Sequence, residues 1–518
     1  MFNRRAALGL LSFVSVLALL GVLSRPVLAT EDFGIATDKK LNKALTDLAD
    51  TCFACGDKAK EKGLYTNARS FFDHALRYDP DHKNTRKVMG FKKKKNEWVL
   101  DEDMIPLKDI VKEEKRREIE DKLVIETREI RTKAADGLFK FVTDTNLAAE
   151  QRLLALYHTL LICPEHREAQ KAARCTPASM WFSHKLDEDQ LIQLEKRVGA
   201  AAAPERITVT TEYEKTCGWQ MGKRKSPFFV FHCDMGDVSD AWAETLTRYA
   251  EASRNHAVEL MGLEPGTPPK DDANRLHYTV LNTRDRFGTF VEKCSGIDDA
   301  AQRAEIAKVS GGTPTYKPYG SVWLYLSLEN DFGLRDGVAH DVALKEIFRC
   351  TGDGAYWLAQ GMGYLNSTHM NGSTSAKFYG VKSSSVIDTG GKESMPGLGD
   401  CAAGWRMKTL IALAANKCLK PSDLIRLRVN DYNEEHMALA FCLSDYLASE
   451  QKDKMKTFYE GAFKERMARA KEKKAGETPQ EILTRLWAAL GMDESALMNS
   501  FKAWAVTNYA KLPTGTDG

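Results

Sequence analysis

His340 and Asp341 stand side by side in a stretch with helical periodicity, and their chemistry is the most suggestive in the chain. A helix carrying His at i and i+4 offers two imidazoles to one zinc ion, and an acid beside the first His can activate a metal-bound water. Here the segment is His340-Asp341-Val342-Ala343-Leu344, so an apolar side chain stands one turn after His340. A second segment, Trp357-Leu358-Ala359-Gln360-Gly361, supplies a side-chain amide. Leucine has no lone pair to give, and a neutral amide oxygen suits hard, oxygen-seeking cations better than zinc. Asp341 is one methylene shorter than a glutamate, and a misplacement of about 1 Å costs on the order of 100-fold in rate.

The elements that must hold these residues follow from pattern. Runs at 207–213, 228–232, 278–282 and 321–328 are short and rich in β-branched and aromatic residues, as strands require. Amphipathic helices are predicted over about 239–261 and 284–294, and from Leu334 onward nearly the whole chain reads as helix, including an apolar one at 436–449. The exception is 367–400, rich in Gly and Ser and without periodicity, which reads as a long loop near the site. Within it Gly397-Leu398-Gly399-Asp400-Cys401-Ala402 echoes a dinucleotide turn but follows no strand. Asp341 and Lys345 lie four apart with the acid first, a pair worth about 0.2–0.5 kcal/mol on an exposed helix. Leu344 suits a dry helix face. Gln360 is expected to reach across to His340, with Trp357 packed beneath.

Taken with the two motifs, this order of elements resembles the gluzincin (peptidase MA-like) metallopeptidases. In that family the first segment reads H-E-x-x-H and the second W-L-x-E-G, whose Glu is the third metal ligand. The resemblance covers roughly residues 205–510 and implies a zincin-like domain. It marks His340, Leu344 and Gln360 as vestigial ligand positions, Asp341 as a degenerate general-base position, and Trp357 and Tyr325 as binding positions. One ligand of the family's set of three survives, so neither zinc nor another cofactor is expected. The implied role is a catalytically inactive homologue that binds a peptide or a protein. Two alternatives stay open: an active zinc-dependent metallohydrolase with an altered ligand set, recruiting His369 or Asp353, and an envelope structural protein.

Upstream, residues from about 38 to 98 read as helices. Gly63-Leu64-Tyr65, Ala68, Phe72, Ala75 and Asp79-Pro80 resemble the second half of a tetratricopeptide repeat, in which small residues let two helices pack closely and the Pro ends the second. A weaker echo runs over 154–169, where Cys163-Pro164-Glu165-His166 follows an apolar helix as Asp79-Pro80-Asp81-His82 does. The expected fold class is therefore α+β and predominantly helical. A helical region over 33–198 precedes a metallopeptidase-type domain over 205–515, strand-rich to 330 and helical from 331, with the break at Gly199-Ala200-Ala201-Ala202-Ala203-Pro204.

At 518 residues and 43% hydrophobic the chain can bury large cores, and its net charge of +2 excludes a nucleic-acid partner recruited by bulk positive charge. The basic run Lys92 to Lys95 and the alternating charges over 108–133 read as solvated surface. Arg4 and Arg5, the uncharged stretch 6–24 and Val27-Leu28-Ala29 mark residues 1–29 as a signal peptide or an N-terminal membrane anchor. Export to the periplasm, cell envelope or exterior is expected, with anchoring in the inner membrane through 6–24 if the segment is not cleaved. Eleven cysteines are too sparse for a disulfide scaffold, and an odd number leaves at least one without an intrachain partner. Cys52-Phe53-Ala54-Cys55 has redox spacing but lies in a helical pattern, which favours simple packing.

Overall fold

The structure is a computed structural model that describes residues 38–95, 97–106, 108–175, 188–316, 318–325, 332–372, 374, 402–427 and 432–513. The predicted signal or anchor segment and residues 375–401 of the expected loop lie outside the described residues. Among the described residues helix accounts for 66% and strand for 9%, which makes the fold predominantly helical α+β. No described helix is long and apolar enough to cross a membrane.

The described elements run in the order α1 (Lys39–Glu61), α2 (Tyr65–Tyr78), α3 (Lys83–Val88), β1 (Phe91–Lys94), β2 (Glu97–Leu100), α4 (Glu113–Thr143), α5 (Ala149–Ile162), α6 (Arg167–Ala172), α7 (Glu188–Ala200), β3 (Glu205–Arg206) and α8 (Glu212–Cys217). Then come β4 (Gly222–Lys225), β5 (Phe229–Asp234), α9 (Ser239–Leu260), β6 (Leu276–Leu281), α10 (Arg284–Cys294), α11 (Ala300–Val309), β7 (Gly312–Tyr316), β8 (Tyr319–Leu324), α12 (Phe332–Thr351) and α13 (Tyr356–Asn371). The tail holds α14 (Ala402–Ala414), α15 (Pro421–Leu424), α16 (Glu434–Glu450), α17 (Lys452–Lys471), α18 (Pro479–Leu490) and α19 (Glu494–Tyr509). Two compact units interleave along this order: one takes residues to 181, 382–420 and 495–518, the other 182–381 and 421–494.

In the first unit α1 and α2 pack tightly because Gly56 has no side chain. A Cβ built there would stand 2.6 Å from a ring carbon of Phe72. Ala59, Leu64, Ala68, Phe72, Ile105 and Leu123 form the core beside them. Cys52 and Cys55 are both buried on α1, and burial pushes both thiols up, Cys55 to about 11. His82 and His166 do the same work, each accepting from a backbone N–H to cap a six-residue helix. The helical reading of 38–98 fails at its end. Phe91 to Leu100 form a hairpin, with Gly90 at φ 88° before it and Lys95 at φ 49° in the turn.

The second unit is built on a six-stranded sheet in the order β3-β4-β5-β6-β8-β7. Strands β5, β6 and β8 run parallel at its centre, and the outer pairings are antiparallel. Alternation along β6 sends Tyr278 and Val280 to the face covered by α9 and α12, and Leu281 to the face covered by α8 and α10. The expected strand at 207–213 is not one. Pairing stops at Arg206, and Thr211 with Glu214 closes a capping box that opens α8. Strands β4 and β7, rich in Lys, Arg, Gly and Thr, carried no apolar alternation to announce them. Residues 367–371, expected in a loop, complete α13, which ends at Gly372 with φ 76°.

Candidate functional site around His340 and Asp341

Helices α12 and α13 lie side by side, joined by a 3-10 turn over Gly352–Ala355. Their pairing is fixed by Asn366 Nδ2 donating to the Ala339 carbonyl at 2.8 Å and by Ser367 Oγ donating to the Asp336 carboxylate. This register sets Gly363 opposite His340. A Cβ at Gly363 would stand 2.6 Å from His340 Cδ2 and 2.8 Å from Nε2, so the missing side chain makes the room the imidazole occupies. The Tyr364 ring lies 4.7 Å away, centroid to centroid. Burial depresses the His340 pKa to about 4, opposed by the Asp341 charge and by the Gln360 side chain.

The structure brings Gln360 beside His340. Its buried amide acts on both His340 and Tyr356, although Gln360 Oε1 makes no hydrogen bond of standard geometry among the described residues. Leu344, one turn after His340 on α12, is partly buried, and Trp357 is fully buried at the start of α13. Tyr325 packs against Trp242 within the sheet-side core, with its ring 5.9 Å from the indole. Among the described residues no group of three or more His, Cys, Asp or Glu side chains is arranged to hold a metal.

Asp341 points to the sheet. Its Oδ2 accepts from Tyr278 Oη at 2.8 Å and from Ser321 Oγ at 3.3 Å, and lies 3.4 Å from Lys345 Nζ. Lys345 Nζ also donates to Ser321 Oγ at 3.0 Å and sits over the rings of Tyr319 and Tyr278, 4.6 and 5.3 Å from their centroids. The Asp341–Lys345 pair therefore exists, but not on an exposed helix face: the Lys345 side chain is only 4% exposed. Burial lowers the Lys345 pKa against the pull of Asp341, and burial with the Asp341 charge raises Tyr278 well above the usual phenol range. Sequence reasoning found Asp341 and missed its partners on β6 and β8, which no local spacing links to α12.

His369 is taken up elsewhere. Its Nδ1 lies 3.2 Å from His256 Nε2, whose other ring nitrogen meets Arg197 at 2.8 Å. Nine residues along α13 separate His369 from Gln360, about 13 Å of helix rise. Asp353 lies in the turn between α12 and α13.

No protein-family model, curated protein or solved structure matches the chain.

Proposed function

We propose that the second unit is a non-catalytic binding module on a gluzincin-like frame, taking a peptide or protein partner rather than hydrolysing one. The observation that carries this reading is the engagement of Asp341. The position of the general base is occupied by a carboxylate whose Oδ2 is shared among Tyr278, Ser321 and Lys345. A base that activates metal-bound water must reach that water, whereas these three partners draw the Asp341 carboxylate towards the sheet. The ligand positions support the same reading, since Leu344 cannot ligate and Gln360 brings only an amide. The N-terminal segment is consistent with export, and the α1–α2 pairing with a tetratricopeptide-like arm.

Metal analysis of full-length chain purified without chelators tests the catalytic half of the proposal. No stoichiometric zinc is expected in the wild type, whereas Leu344→His with Gln360→Glu should bind it, because positions 340 and 344 lie one turn apart on one helix face. One zinc per wild-type chain would overturn the reading in favour of an altered-ligand metallohydrolase. A folded double variant without zinc would mean that the cleft has collapsed or that the motif match is accidental, and either outcome counts against the proposal. For the binding half, peptide display on the immobilised chain should enrich sequences that lose binding to Leu344→Arg. A selection that enriches nothing leaves the structural-protein alternative.

A further inference from the structure

Cys217 is the last residue of α8 and Cys294 the last of α10, and their Sγ atoms lie 3.6 Å apart. Both helices cover the sheet face remote from α12, where Tyr213, Phe287, Phe290 and Val322 pack with Cys294. The two cysteines are separated by 77 positions, so their approach is a product of the fold. All ten cysteines among the described residues are free thiols. Of these, Cys52, Cys55, Cys163, Cys233, Cys294, Cys350 and Cys442 are buried, whereas Cys217 is partly exposed.

We propose that Cys217 and Cys294 are an oxidisable dithiol, a covalent modification site at which a small disulfide or thiol oxidant closes an intrachain bond between α8 and α10. A disulfide needs sulfurs about 2.05 Å apart, so the present separation closes by about 1.5 Å, within reach of side-chain rotation combined with small helix shifts. The environment assigns the roles. Cys217 is the partly exposed sulfur and Cys294 the buried one; the contact between them, with the Lys293 charge, lowers the Cys217 pKa against its partial burial, while the same contact and burial raise Cys294. Cys217 is thus the accessible attacking sulfur and Cys294 the resolving one.

With a disulfide R–S–S–R as oxidant, the Cys217 thiolate attacks one sulfur and expels RS⁻, forming a Cys217–S–S–R mixed disulfide. Cys294 then gives up its proton to the expelled thiolate and attacks Cys217 Sγ, displacing the second RS⁻. The protein loses two electrons and two protons in total, and the oxidant leaves as two RSH. The inference is independent of the zinc question, since both sulfurs lie across the sheet from His340.

Full-length chain incubated with oxidised glutathione, alkylated and digested without reductant provides the test. The expected product is a linked peptide pair joining Cys217 to Cys294, with those two thiols lost to alkylation and recovered on reduction. Cys294→Ser should instead hold glutathione on Cys217, because the resolving sulfur is gone. If that variant does not fold, the wild-type peptide map decides alone. Cys217 and Cys294 both remaining alkylatable while Cys175 or Cys418 acquires glutathione would overturn the proposal. So would a glutathione adduct on wild-type Cys217 that never resolves to the linked pair.

Discussion

Gly363 and His340 are complementary: the imidazole occupies the space in which a side chain at 363 would lie, with Cδ2 only 2.6 Å from that missing Cβ. The contact is between two packed helices and has little slack, because α13 is pressed from its other side by α16. A Cβ at Gly361 would collide with the Ala440 carbonyl.

Gly363→Ala should therefore destabilise the chain by about 1–3 kcal/mol, the usual cost of forcing an extra carbon into a packed core. The check is a urea unfolding series with a double-mutant cycle. Trimming the ring by His340→Ala should recover a large part of the loss in the Gly363→Ala background, giving a coupling of about 1 kcal/mol or more. Strict additivity would show that the two residues do not share the space.

The buried ammonium of Lys345 makes a second, asymmetric prediction. Asp341→Ala leaves that charge facing only Ser321 Oγ and two tyrosine rings. It should cost about 2–4 kcal/mol, below the top of the range for broken buried pairs because the Asp341 side chain is 22% exposed. Adding Lys345→Met removes the stranded charge and should restore more than half of the loss. Equal stability of the single and double variants, measured by denaturant unfolding, would count against a charge-burial origin.

Acid should weaken the second unit well before its carboxylates titrate. Burial is the leading cause that holds His232 near about 3 and His256, His277 and His340 near about 4, against an ordinary value of 6.5. A histidine with a depressed folded pKa binds its proton in the unfolded chain first, so its stabilising contribution is complete above about pH 6.5. It declines as the pH falls towards 4. The urea midpoint should drop steadily across that window. Replacing His232, whose Nε2 lies 3.3 Å from His277 Nδ1, with Asn should flatten the decline. A midpoint constant from pH 6.5 to 5 would refute the assignment.

How much of this was legible in the residues depends on how local each cause is. Helix α10 was readable from its periodicity, and Thr283 caps it by accepting from the Arg286 N–H. The approach of Gln360 to His340 was expected from the family resemblance, in which the counterpart residues share one metal, and the short turn between α12 and α13 keeps the two helices together. The 91–98 hairpin was not, since its lysines favour helix as readily as turn. Arg86 holds the hairpin by lying over the rings of Phe91 and Trp98. At 207–213 the β-branched run outweighed the Thr211-x-x-Glu214 signal, which was present and overlooked. The burial of Lys345 had no local signature, because its partners Ser321 and Tyr278 arrive from strands far along the chain. An Asp four residues before a Lys looks the same in sequence whether it faces water or a sheet.

The ends of the sheet have a consequence for how the molecule behaves in company. At one border β3 is two residues long and both are charged; at the other β7 carries Pro314 at its midpoint. Neither border offers an uninterrupted row of backbone donors and acceptors on which another chain could lay down a strand. Recruitment of a partner by sheet extension is disfavoured at both ends, and so is the edge-to-edge accretion that begins many aggregates. At these two borders, recognition of a partner falls to side chains rather than to a shared backbone ladder.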